Sequence, residues 1–254
     1  ILFPRPIKSK MKLAIAALLA TSAAAFAPSP TGRATTAVRE TVADLKDMAP
    51  KLNPAVGFFD PLDLADADFW GVGNESTIGF LREAEVKHGR IAMFAFVGYI
   101  VHANGITWPW PMTLDGQAFP TGLSPPDAWD AIPDAAKIQI FLFVGFLEFW
   151  REVASEKHYM KGGKIGEFPA FDDKYIPGGA LNLYDPFGRN KGMSDEQKEK
   201  RLLAEINNGR LAQLGIFGFL CESKIEGSVP ALKGVIPHYD GEVMAPMTTS
   251  LFPH

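Results

Sequence analysis

The chain has 254 residues, and at about 100–200 residues per domain that length holds one domain or two. Hydrophobic residues make up 47% and charged residues 21%, which excludes a disordered or fibrous chain. The net charge of −4 argues against nucleic acid as a partner, and a single cysteine, Cys221, excludes a disulfide framework or a multi-cysteine zinc site.

Ile1 opens the sequence, so residues 1–10 read as an extension upstream of a start at Met11. Lys12, an apolar stretch over 13–19 and an alanine-rich exit then predict a signal peptide over 11–26. The run is shorter than the roughly 20 apolar residues of a membrane span. Residues 27–44 are rich in Ser, Thr, Ala and Arg, with no acid until Glu40, and have the composition of a transit peptide. A signal peptide joined to a transit peptide at Ala24-Ala-Phe-Ala-Pro28 resembles the presequence of plastid proteins in algae with secondary red plastids. The working domain is then 45–254.

Three segments of that domain predict helices. The first covers about 77–102. The second opens at Pro133, a favoured first helical position, and closes before Gly162-Gly163. The third starts with Ser194 and Gln197 in capping-box spacing and runs to about Lys224. The first and third are copies. Glu85-Val-Lys-His-Gly-Arg-Ile-Ala matches Glu205-Ile-Asn-Asn-Gly-Arg-Leu-Ala at an offset of 120, Gly98 recurs as Gly218, and Phe59-Asp60-Pro61 is echoed by Tyr184-Asp185-Pro186. Two amphipathic helices alike by chance would not share this polar pattern. The repeat implies a pseudo-twofold pair with the second segment beside it.

Hydropathy alone does not make these helices membrane spans. The charge-free runs 91–101, 138–147 and 211–221 each cover about half of a ~30 Å hydrocarbon core at 1.5 Å per residue. The tryptophans favour the membrane. Trp70, Trp108, Trp110, Trp129 and Trp150 all flank the segments, as an interfacial aromatic belt does. The charges must then be neutralised. Glu85 and Arg90 stand about 140° apart on one helix, as do Glu205 and Arg210, so neither pair closes within its helix. Crossing the copies allows Glu85 with Arg210 and Glu205 with Arg90. Gly89, Ala92, Gly209 and Ala212 are small enough for a close crossing. Glu85 and His88 share a face, and Asn208 repeats the His88 position. A charge-compensated Glu, a His and an Asn carbonyl are suitable axial donors to the magnesium of a chlorophyll, whose ring fills the equatorial positions.

These two motifs resemble the chlorophyll-binding light-harvesting proteins, and with the presequence they look most like the fucoxanthin–chlorophyll a/c antenna branch. The resemblance spans about 45–252. It implies an all-α fold of three transmembrane helices, the first and third crossed. It implies Glu85, His88, Glu205 and Asn208 as magnesium ligands, with Arg90 and Arg210 as ion-pair partners. Glu148 in Gly145-Phe-Leu-Glu-Phe-Trp-Arg151 would be a ligand neutralised by Arg151, and Gln139, nine residues earlier, a further candidate. Glu222 stands where the family often has a Gln ligand. The Asp-Pro segments at Asp60 and Asp185 would anchor carotenoid ends. The implied cofactors are chlorophyll a, chlorophyll c and fucoxanthin or a related carotenoid. The implied partners are a photosystem core, other antenna subunits and thylakoid lipids in the plastid, with an oligomer left open.

The implied function is light harvesting without enzyme activity, since no nucleophile–base constellation or phosphate loop is present. An energy-dissipating member of the same family would bind the same pigments. A di-iron carboxylate enzyme also uses Glu-x-x-His on helices, but it needs the motif twice plus two further Glu. Here the second copy is Glu-x-x-Asn.

Overall fold

The computed structural model describes residues 40–172 and 180–243, with Ala245 and Met247. The extension, the signal peptide and the transit segment up to residue 39 lie outside the described residues. The described chain is mainly helical: α1 (Val42–Leu52), α2 (Asn74–Ala103), α3 (Pro125–Asp130), α4 (Asp134–Val153) and α5 (Asp195–Lys224). Short 3-10 turns stand at Tyr159–Lys161, Arg189–Gly192 and Pro230–Leu232. The strands among the described residues are one antiparallel pair, Phe171–Asp172 with Ala180–Leu181.

Helices α2, α4 and α5 are the three that the sequence predicts. Ser194 caps α5 by accepting from the backbone N–H of Gln197 at 3.3 Å. Helix α4 stops at Val153, short of the glycine pair at 162–163. The Ser155 hydroxyl donates to the Arg151 carbonyl at 2.7 Å and competes with the helical bond that carbonyl would accept. His158 then caps a separate 3-10 turn, which Gly162 closes at φ 84°.

Helices α1 and α3 are additions to the sequence reading. Thr41 and Asp44 form a reciprocal capping box at the start of α1. The hydrogen bonds from Thr41 hold the Asp44 carboxyl below the usual carboxylate range. The boundary expected at residue 44 falls inside this helix, where a Ser/Thr/Ala-rich composition masks the cap. Helix α1 docks on α5 through Asn207 Nδ2, which donates to the Leu52 carbonyl at 3.1 Å, and through Lys51 Nζ to Glu199 Oε1 at 2.7 Å.

At their crossing, α2 and α5 touch backbone to backbone. A Cβ built on Gly209 would lie 2.9 Å from Gly89 Cα, and one on Gly89 would lie 3.1 Å from Gly209 Cα. The residues buried around this point are also related by the offset of 120: Val86 with Ile206, and Ala92 with Ala212. The repeat extends into the preceding loops. Asp60 Oδ1 accepts from the Leu64 N–H at 3.0 Å, and Asp185 Oδ1 from the Arg189 N–H at 2.8 Å, each four residues on. The residue three after each Asp is left-handed: Asp63 at φ 51° and Gly188 at φ 64°. These loops are offset by 125, not 120. The five extra residues of the first copy lie ahead of α2, where Asn74 Nδ2 ties them down by donating to the carbonyls of Ala65 and Ala67.

Beside a buried apolar core that includes Ile78, Val86 and Ile206, the chain buries charges and exposes large apolar side chains. Arg82, Glu83, Lys137, Arg151 and Glu222 are buried, while Phe94, Leu142 and Leu214 are 80%, 69% and 71% exposed. On α4, Ile138, Ile140, Phe141, Leu142, Phe143, Val144 and Phe149 are exposed around the whole helix. Such a surface is far larger than the apolar patches soluble monomers tolerate. Among the described residues, no helix is both long and apolar enough to cross a membrane by hydropathy alone.

Candidate functional site

Two ion pairs bridge the crossing. Arg90 Nε meets Glu205 Oε1 at 2.6 Å, and Arg210 Nη2 meets Glu85 Oε1 at 2.6 Å. The two halves differ in one respect. Arg82 Nη1 also donates to Glu85 Oε2, and Arg82 Nε meets Glu40 Oε2 at 3.0 Å. The residue equivalent to Arg82 in the second copy is Leu202, so Glu205 has Arg90 as its cation and Glu85 has two. Arg90 in turn donates Nη1 to the Gly166 carbonyl at 2.5 Å.

His88 is exposed on α2, and its Nδ1 lies 2.7 Å from the Ala84 carbonyl oxygen. That oxygen can only accept, so Nδ1 donates to it and Nε2 is the ring nitrogen that faces away from the helix backbone. A backbone carbonyl behind one ring nitrogen, orienting the other, is the usual support of a ligating histidine. Asn208, its counterpart on α5, is exposed with no side-chain hydrogen bond among the described residues. Glu205, His88 and Asn208 thus each present an unengaged oxygen or nitrogen beside apolar surface. Both oxygens of Glu85 are taken, Oε1 by Arg210 and Oε2 by Arg82, and its carboxylate is reached only because, unlike that of Glu222, it is part-exposed. This donor set fits a pigment magnesium whose ring supplies the other ligands.

The middle helix is wired differently from the expectation. Glu148 pairs with Lys87 of α2, and Arg151 does not neutralise it. Arg151 instead holds buried Glu83, Nε to Oε1 at 3.2 Å and Nη2 to Oε2 at 3.3 Å. Glu83 Oε2 also accepts from the Gly166 N–H at 2.7 Å. The three-residue spacing of Glu148 and Arg151 permits a pair, but a two-point bond to a buried carboxylate is the stronger one. Glu148 remains exposed and available from its other side. Gln139 is exposed but stands about 180° around α4 from Glu148. The structure does not bring these two together.

Glu222 is 2% exposed, and both its oxygens are occupied. Oε1 accepts from the Gly227 N–H at 2.8 Å, and Oε2 from the Val229 N–H at 2.8 Å and the Ser228 hydroxyl at 3.4 Å. An acid in place of the expected Gln serves here as a clasp for the chain leaving α5, and it presents no oxygen to a pigment. His158 and His238 pair with Glu152 and with Asp240. Sequence reasoning missed Arg82, Glu83 and Lys87 as partners. Only Arg82 left a local signal, at three residues before Glu85 on one helix. Lys137 was also missed: it is fully buried, with Nζ 3.7 Å from Asp134 Oδ1 and 5.8 Å from the centre of the Trp129 ring.

The chain is similar in sequence to known proteins. Residues 44–224 match the family described as Chlorophyll A-B binding protein. The chain is 41% identical over 227 residues to the fucoxanthin-chlorophyll a-c binding protein, chloroplastic, of Trieres chinensis, covering 87% of this chain and 98% of that one. It is 38% identical over 218 residues to fucoxanthin-chlorophyll a-c binding protein F, chloroplastic, of Phaeodactylum tricornutum, covering 85% and 96%. Protein A of the same description from the alga Macrocystis pyrifera is 36% identical over 178 residues, covering 67% and 69%.

Proposed function

Because the chain belongs to the Chlorophyll A-B binding protein family, we propose that it is a light-harvesting antenna subunit of the thylakoid membrane. It holds chlorophyll a, chlorophyll c and fucoxanthin or a related carotenoid and passes excitation to a photosystem. It catalyses no reaction. What it supplies is position, since energy transfer falls steeply with the distance and orientation of pigments.

The observation that carries this reading is the combination of buried, paired charges with large apolar side chains exposed along the helices. Helices α2 and α5, at 30 residues each, are about 45 Å long, and α4, at 20 residues, about 30 Å, so each is long enough to span. The charges at the crossing and between α2 and α4 are paired: Glu83 with Arg151, Glu85 with Arg210 and Arg82, Lys87 with Glu148, Glu205 with Arg90. Pairing removes most of the cost of a charge in hydrocarbon, and hydropathy does not register it. The exposed Phe, Leu and Ile side chains are then wetted by pigment and lipid.

In this reading Glu85, Glu205, His88 and Asn208 hold chlorophyll magnesium, and Glu148 and Gln139 are further ligands on α4. Each of these residues would hold one chlorophyll by giving a single oxygen or nitrogen to its metal. Arg90 and Arg210 pair with the Glu205 and Glu85 carboxylates, His88 is oriented by the Ala84 carbonyl, and the glycine crossing sets the distance between the two pigment groups. The Asp60 and Asp185 loops, which share one turn geometry, anchor carotenoid ends. The signal and transit segments direct the chain to the plastid, and the partners are the photosystem core, other antenna subunits and thylakoid lipids. Pigment extraction from purified protein tests the function: chlorophylls and a carotenoid are expected. Two irons per chain with no magnesium chlorin would sink it in favour of the di-iron alternative.

A further inference from the structure

We propose a further chlorophyll site, built on His102 and Tyr99, in the cavity at the C-terminal end of α2; the proposal rests on the antenna reading above. The cavity has a volume of about 550 Å³ and lies between α2, α5, α3 and the segment after α5. On α2 it is lined by Ala95, Gly98, Tyr99 and His102, whose spacing of three and four residues places them on one helix face. Trp129 and Tyr239 contribute aromatic walls. A second cavity of about 320 Å³ adjoins it, and Gly98, His102 and Trp129 line both.

Two polar atoms in this apolar wall lack a use. Tyr99 is 7% exposed, and its hydroxyl is buried with no hydrogen-bond partner among the described residues. A buried hydroxyl without a partner costs free energy, and native structures rarely leave one so. His102 is half-buried, and its imidazole has no hydrogen bond among the described residues. Three residues apart, the pair offers one O–H donor and one ring-nitrogen lone pair from the same face. A magnesium chlorin takes both: the imidazole at its metal and the hydroxyl at a carbonyl on the ring edge. A carotenoid end would engage Tyr99 and leave His102 idle, and a lipid chain would use neither. The spacing also repeats that of Glu85 and His88 nearer the start of the same helix. Gly98, one residue before Tyr99 on the same face, has nothing within 4 Å of a built Cβ, so the helix surface there is flat enough for a ring to lie against it.

The test refolds the full chain and three variants with a plastid pigment extract and counts pigments per chain. His102→Leu should hold one chlorophyll fewer than wild type with its carotenoid unchanged, and His102→Gln, which keeps a donor atom, should hold the full number. Tyr99→Phe should keep the number but free one ring carbonyl, read as an upshifted carbonyl stretch in the resonance Raman spectrum. If His102→Leu does not fold, the Tyr99→Phe spectrum decides alone. A full chlorophyll complement in His102→Leu, a carotenoid lost in place of chlorophyll, or an unchanged spectrum in Tyr99→Phe would each overturn the site and leave the antenna reading standing. Wild-type chain that takes up no chlorophyll would overturn both.

Discussion

Glu85 and Glu205 hold equivalent places in the repeat but are not equally supported. Glu85 has Arg210 and Arg82, whereas Glu205 has Arg90, and Leu202 stands where a second cation would be. Losing Arg90 should therefore cost more than losing Arg210. Arg90→Leu is expected to destabilise the pigmented protein by roughly 2–4 kcal/mol, because it strands a carboxylate in a medium of low polarity and also frees the Gly166 carbonyl. Arg210→Leu should cost about half as much. Thermal melts of the two refolded variants check this, and equal losses would show that Arg82 does not share the charge of Glu85. A second prediction concerns Tyr239, whose hydroxyl donates to Asp130 Oδ2 at 2.8 Å. Burial, helped by that bond and by Asp130's charge, pushes the hydroxyl from its ordinary 10.0 up to about 12. The protonated form is the one the fold favours, so the stabilisation is whole below pH 10.0 and is lost as pH rises toward about 12. Denaturation midpoints across that window should fall more steeply in wild type than in Tyr239→Phe, which should already be weaker at neutral pH by about 1–2 kcal/mol. The crossed pairs could be read from sequence because five residues is a poor spacing within one helix and the motif occurs twice. Glu83 with Arg151 could not, because it joins residues 68 apart that carry no repeat to compare. Nor could the clasp at Glu222, whose partners are backbone N–H groups and leave no mark in side-chain identity.

At the scale of elements, the glycine crossing sets how close α2 and α5 lie. Gly209→Ala would force a methyl to 2.9 Å from the Gly89 backbone, with no flexible side chain to yield. The helices must then separate, and overpacking of this kind costs about 1–3 kcal/mol. The melting temperature should fall by several degrees, and pigment circular dichroism should change because the distance between pigments changes. A lower melting temperature with an identical pigment spectrum would detach the crossing from pigment geometry. Helix α1 offers a milder case. Thr41→Ala removes its cap and should cost about 1 kcal/mol locally. It should read as faster amide exchange over 42–45 with α2 and α5 unaffected. Helices α2, α4 and α5 were legible because each carries an apolar run, α4 and α5 open on a start signal at Pro133 and Ser194, and α2 carries the motif that α5 repeats. Helix α1 was not, because its capping residues sit in a stretch whose composition signals transport. The end of α4 was misplaced because a serine hydroxyl, invisible to periodicity, interrupts the backbone ladder at Arg151.

At the scale of the molecule, this chain buries ion pairs such as Glu83 with Arg151 and exposes Phe, Leu and Ile, as a chain packed against apolar partners does. Helix α4 shows this best, since apolar side chains face outward all round it while its Lys137 and Arg151 are buried. The central claim is that Glu85, Glu205, His88 and Asn208 are the atoms to which chlorophyll attaches along the crossed pair. An experimental structure of the pigment-loaded protein tests it most directly, through the distance from each magnesium to its axial protein atom. The expected result is four magnesiums about 2.1 Å, or slightly more, from a carboxylate oxygen of Glu85, a carboxylate oxygen of Glu205, His88 Nε2 and the Asn208 side-chain oxygen. Chlorophyll magnesiums bound through other residues, with these four side chains facing only lipid or solvent, would contradict it.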